Sequence, residues 1–199
     1  MKFLIVNHVI QTKNQKMIND KLNDNRNVID RYKGIEINDI REDLKQYQLP
    51  YAVAVQNITG DFNLGTVVRN GNAFGTKEIF YVGGKKGWDK RADVGARHYS
   101  AVTYLKTFEE LSELKKSYIF VGLENNIENT VPLSTFQWPV NSLMIFGEEG
   151  AGLTPEVVAM CDFLVEIEQR GSVRSINLGS ASAIAMWDYL SKICRDRQS

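Results

Sequence analysis

Soft metal ligands are scarce in this sequence: two cysteines and two histidines. Cys161 and Cys194 stand far apart and form no C-x-x-C pair, so no zinc site of the usual spacing, and no metal, is expected. The same separation favours two plain thiols over a disulfide, and nothing demands an oxidising compartment, which points to the cytoplasm. Net charge is also lacking, with 24 basic against 24 acidic residues. That balance argues against a protein that coats nucleic acid indiscriminately, yet leaves room for a local basic patch. No apolar run approaches the roughly 20 residues that span a bilayer. The opening "MKFLIVNHVIQTKNQ" has a short apolar run without a small-residue cleavage site, so it is not read as a signal peptide.

The familiar nucleotide motifs are missing too. "NITGDFNLG" does not fit G-x-G-x-x-G after a strand, and "GGKKG" has the wrong spacing for a phosphate loop and no helix start behind it. No G-x-S-x-G elbow appears, and neither His8 nor His98 has an evident catalytic partner.

What is present is the texture of a soluble α/β protein: 199 residues, 43% hydrophobic and 24% charged. Residues 1–50 form a polar, Asn-rich extension, with a short amphipathic helix in "GIEINDIREDLKQYQ" that Pro50 closes. From residue 51 to 199 apolar strand runs alternate with helices. "YAVAVQ", "EIFYVG", "YIFVGL", "SLMIFG" and "FLVEI" read as strands. "NLGTVVRNGNAFG", "TFEELSELKKS", "TPEVVAMC" and the stretch from Asn177 to about Arg195 read as helices; Thr154 and Pro155 make a clean helix start. Continuous apolar strands between helices predict a mainly parallel sheet covered on both faces.

Three loops stand out, each after a strand, where open parallel sheets bind ligands. The first places Asn63 before a helix and Arg69 six residues on. The second, "FGEEGAGLTPE", sets Gly147, Gly150 and Gly152 around Glu148 and Glu149, leaving backbone groups open to a ligand. The third is "QRGSVRSINLGSASA", polar and then crowded with small residues. Each has an ordinary explanation: a helix cap, a surface charge, a tight turn, helix packing. Their joint occurrence is harder to explain that way.

Together the three stretches resemble the SpoU branch of the SPOUT superfamily of RNA ribose 2′-O-methyltransferases. Asn63 and Arg69 match N-x-x-x-x-x-R. "FGEEGAGL" matches G-x-E-G-x-G-L through Glu149. "IEQRGSVRSINLGSASA" matches the third motif through Ile167, Gly171, Ser175 and Asn177. Glu168 replaces the usual proline, Ile176 the usual leucine, and Leu178-Gly179 the usual Val-Ser. The resemblance covers about residues 51–194. It implies an α/β sheet with a C-terminal deep trefoil knot, in which the small residues after Asn177 begin a threaded helix. It implies S-adenosylmethionine held by Gly147, Gly152, Ile167 and Ile176. The implied catalytic set is Arg69, Asn63, Glu149, Ser175 and Asn177. A homodimer is also implied, and Ile184, Trp187, Tyr189 and Leu190 supply apolar surface on the last helix.

RNA is the implied partner. "GGKKGWDKRADVGARHYS" offers Lys85, Lys86, Lys90, Arg91 and Arg97 among the rings of Trp88, His98 and Tyr99, and Arg174 adds a cation nearer the third motif. "QRGSVRSIN" and the later "MWDY" are similar to the eukaryotic-type tRNA guanosine methyltransferases of this branch, which favours tRNA over ribosomal RNA. A non-catalytic RNA-binding homologue, a base methylase and a nucleotide-binding module are the competing readings.

Overall fold

The computed structural model describes residues 21–56, 62–83, 86–125, 127–148 and 150–196. They fall into two compact units, one ending at Gln46 and one beginning at Tyr47. In the first, Asp24 accepts hydrogen bonds from the backbone N–H of Arg26 (2.9 Å) and of Gly34 (2.8 Å) and pairs with the Arg26 guanidinium. That guanidinium holds the Asp24 carboxyl far below the usual carboxylate range. Helix α1 (Ile37–Leu44) follows, and its Asp43 accepts the Tyr32 hydroxyl at 2.6 Å.

The second unit is built on a seven-stranded sheet: β1 (Tyr51–Gln56), β2 (Glu78–Val82), β3 (Val102–Leu105), β4 (Ile119–Leu123), β5 (Val131–Pro132), β6 (Ser142–Phe146) and β7 (Phe163–Glu166). All neighbours pair in parallel, in the order β3-β2-β1-β6-β4-β7-β5. The expected mainly parallel sheet flanked by helices is therefore present. Strands β6 and β7 enter late in the chain yet lie between strands laid down earlier. Every residue of β1 is buried because both faces are covered. Tyr51, Val53 and Val55 face α2 (Phe62–Ala73) and α5 (Leu178–Asp196), through Leu64, Val67, Val68, Ala185, Met186 and Tyr189. Ala52 and Ala54 face the other layer, where α3 (Phe108–Ser112) adds Leu111 and α4 (Pro155–Met160) adds Val157. Thr154 caps α4 by accepting the Val157 N–H, with Pro155 in the first helical turn.

Two strands go beyond the sequence reading. β3 is a four-residue edge strand with only its last residue buried, and β5 is a two-residue edge strand ending in proline, which a sheet tolerates only where no ladder hydrogen bond is needed. The small residues that open α5 have a local cause. A Cβ on Gly179 would lie 2.6 Å from the Thr66 Cγ2 of α2. Asn70 of α2 completes that contact, donating to the Gly179 carbonyl (2.8 Å) and to Ser182 Oγ (3.0 Å).

Candidate active site

The carboxyl ends of β4, β6 and β7 open into one cleft of about 560 Å³, within the range of small-molecule sites. Its walls come from Leu123 and Glu124 at the end of β4, residues 146–148 and 150–153 at and after the end of β6, and Gln169 with residues 174–178 after β7. Two of the three loops singled out in the sequence thus meet around one volume.

The turn after β6 closes on itself. Glu148 N–H donates to the Gly152 carbonyl at 3.2 Å, and Gly152 N–H donates back to Glu148 at 2.9 Å. Gly147 sits under this bridge: a Cβ there would lie 2.1 Å from the Gly152 carbonyl carbon. Glu124 clamps the far side, accepting the Leu153 N–H at 3.0 Å and the Asn125 N–H at 2.9 Å. Asn125 ties the end of β4 to the end of β7. Its Nδ2 donates to the Ile167 carbonyl at 2.6 Å and its Oδ1 accepts the Ile167 N–H at 3.2 Å.

A hydrogen bond joins the first and third motifs. Asn177 Nδ2 donates to Asn63 Oδ1 at 3.0 Å, across 114 positions of sequence. Asn177 also caps α5, accepting the Ser180 N–H at 3.3 Å. Asn63 lies inside the first turn of α2, which begins at Phe62, rather than just before the helix as expected. Its carboxamide reaches the opposite helix.

The expected cofactor residues Gly147, Gly152 and Ile176 line the cleft, as do Ser175, Asn177 and Arg174. Ile167 does not; both of its backbone groups are engaged by Asn125. Arg69 is exposed on α2 and is not part of the lining. Glu149 and Lys85 lie outside the described residues. Glu168, in place of the usual proline, turns to Ser134, whose hydroxyl donates to it and holds its carboxyl below the usual range.

The basic loop is partly consumed by its own fold. Arg97 pairs with the fully buried Asp93 at 2.7 Å, and Trp88 Nε1 donates to the same carboxylate at 3.0 Å. The Trp88 ring packs edge-on against Tyr81 with centroids 5.5 Å apart, so it is built into the loop rather than offered to a base. Arg91 pairs with Asp89, while Lys86 and Lys90 are exposed. Glu124, Asn125 and Gln169 were not singled out as site residues by sequence reasoning. The signal was the polar "ENN" directly after a buried strand.

The family model of the SpoU rRNA methylases matches residues 50–187. The chain belongs to the SpoU methylase family. Among curated relatives, a 23S rRNA (guanosine-2′-O-)-methyltransferase, RlmB of Vibrio parahaemolyticus, is 25% identical over 190 residues, covering 90% of this chain and 76% of the relative. The mouse tRNA (guanosine(18)-2′-O)-methyltransferase TARBP1 is 25% identical over 135 residues, covering 64% of this chain; the chain spans only 8% of that relative's length. The A. aeolicus TrmH/SpoU tRNA modifying enzyme superposes with a TM-score of 0.71 at 19% identity, over 80% of this chain and 83% of that one. AviRb from Streptomyces viridochromogenes, in complex with AdoMet, superposes with a TM-score of 0.65 at 19% identity, covering 74% and 59%. Among the described residues no helix of this SpoU methylase is long and apolar enough to cross a membrane, and no cluster of His, Cys, Asp and Glu could hold a metal ion.

Proposed function

We propose that this chain is an S-adenosylmethionine-dependent RNA ribose 2′-O-methyltransferase acting on tRNA in the cytoplasm. The observation that carries the reading is the Asn177–Asn63 hydrogen bond, which joins two distant motifs beside a cleft walled by a glycine turn. The cleft fits the cofactor on its own terms. It combines apolar walls (Leu123, Phe146, Leu178), a turn held by backbone bonds and a few polar side chains that could fix orientation. Gly147, Gly152 and Ile176 would hold the cofactor, which supplies a methyl group on a positively charged sulfur. The chain's own work is to hold a weak nucleophile in place. Ser175 and Asn177, at the cleft, orient the ribose hydroxyl, and Asn63 orients Asn177. Arg69 brings a planar, two-pronged hydrogen-bond donor and no acceptor. It stands about 9 Å along the axis of α2 from Asn63. From there it serves the RNA phosphate and the negative charge developing on the oxygen, and Glu149 steadies it. Lys86, Lys90 and Arg174 carry the flanking RNA, with Lys85 and Arg91 on the same loop.

The reading extends to chain organisation. Residues 51–199 form the methyltransferase domain and residues 1–50 an extension. The late insertion of β6 and β7 supports a C-terminal trefoil knot, with the segment before α5 passing the 147–153 turn. Of the four residues expected to give the last helix an apolar surface, Tyr189 is fully buried and Leu190 packs against the core; Ile184 and Trp187, 41% and 58% exposed on α5, support a homodimer through that helix.

Mapping of 2′-O-methylated riboses in RNA from cells with and without the protein tests the function. One mark in tRNA should disappear with the gene. Loss of a ribosomal mark instead would reassign the substrate, and an unchanged ribose map would defeat the proposal.

A further inference from the structure

Gln169 lines the cleft three residues after β7 ends, as does the glycine turn after β6. Its neighbour in the same wall, Asn125, has its carboxamide fully engaged by Ile167. Gln169 differs: its Oε1 is buried and meets no hydrogen-bond donor among the described residues. Buried acceptors are almost always paired, so an unpaired one in a ligand cleft points to a donor on the ligand.

The chemistry of the surroundings narrows that donor. Two carboxylates, Glu124 and Glu148, line the same cleft and are the natural partners of a cationic group. A neutral carboxamide among Leu123, Ile127, Phe146 and Leu178 suits a flat neutral ring. Its acceptor and donor stand side by side, and one edge of adenine offers the complement, the N6 amine next to the N7 acceptor, the pairing by which Gln reads adenine elsewhere. We propose that Gln169 reads the adenine edge of the cofactor and so sets its base specificity. This rests on the cleft being the S-adenosylmethionine site.

The test is calorimetry on the full chain with two probes, S-adenosylhomocysteine and S-inosylhomocysteine, which carries a carbonyl where adenine has its amine. The unaltered protein should favour the adenosyl compound by about tenfold or more, because the inosyl base leaves the Gln169 oxygen facing another acceptor. Gln169→Met keeps the bulk and removes the amide, and should lower that ratio about tenfold. Gln169→Leu provides a second variant should the first fold poorly, and a ratio measured within one variant cancels general loosening of the site. A ratio unchanged in both variants would overturn the proposal, as would equal affinity of the unaltered protein for both probes. If the unaltered protein binds neither probe, the cofactor assignment falls and the proposal falls with it.

Discussion

Replacing Gly147 with alanine tests whether the turn after β6 must close as tightly as the structure shows. The added Cβ would lie 2.1 Å from the Gly152 carbonyl carbon, 2.3 Å from the Leu153 nitrogen and 2.4 Å from the Gly152 oxygen. All three are backbone atoms, so no rotamer change relieves the overlap. Restoring an ordinary contact of 3.4 Å needs a movement of about 1.3 Å. That movement breaks the Glu148–Gly152 bridge, two hydrogen bonds together worth about 1–3 kcal/mol. Part of the cost should appear as stability, a fall of roughly 2–4 °C in melting temperature per kcal/mol for a chain of this size. Part should appear as cofactor affinity, because the bridge shapes the cleft, and 1.4 kcal/mol corresponds to about tenfold in Kd. With about half of the cost in affinity, calorimetric titration should therefore show S-adenosylmethionine binding roughly 3- to 10-fold more weakly. Gly171→Ala is the control: a Cβ there meets nothing within 4 Å, and both readouts should stay close to the unaltered protein. If Gly147→Ala bound the cofactor within twofold of the unaltered protein, the turn would be adaptable and the steric argument wrong.

Arg69→Ala should cut methyl transfer to the true RNA by about 10²–10³ while leaving cofactor affinity nearly intact, since Arg69 stands outside the cleft lining; Arg69→Lys should fail almost as badly for want of a two-pronged donor. Asn63→Ala and Asn177→Ala, measured singly and together by chemical denaturation, should show a coupling of about 0.5–1.5 kcal/mol, and strictly additive losses would disprove the hydrogen bond. Burial pushes the Cys161 thiol up to about 11, so at pH 8 the Cys161 peptide should be alkylated about a hundredfold more slowly than free cysteine, as read by mass spectrometry. The sign for stability follows: folding keeps the thiol protonated, so its contribution is intact below about pH 9 and is lost as pH rises towards 11.

Patterns that depend on residue type were legible before any coordinates. The run "YAVAVQ" announces a strand covered on both faces, and Thr154-Pro155 announces a helix start, because sterics and capping act locally. The two-residue β5 is too short to carry a pattern, and the four-residue edge strand β3 lies between the basic loop and the helix "TFEELSELKKS", in a stretch the sequence reading leaves unassigned. The glycine turn and the third motif could be recognised from their letters, but only the fold shows that they line one cleft. Spacing cannot show which side chains are already engaged. Arg97 reads as a free cation until the buried Asp93 is seen beside it, and Trp88 reads as a stacking platform until its N–H is found on the same carboxylate. Glu168 reads as a disturbance of the cofactor loop until Ser134 accounts for it. Subtracting such internally satisfied groups leaves a shorter set with work still to do. In the cleft that set includes Gln169, a lining residue whose buried oxygen has no donor among the described residues.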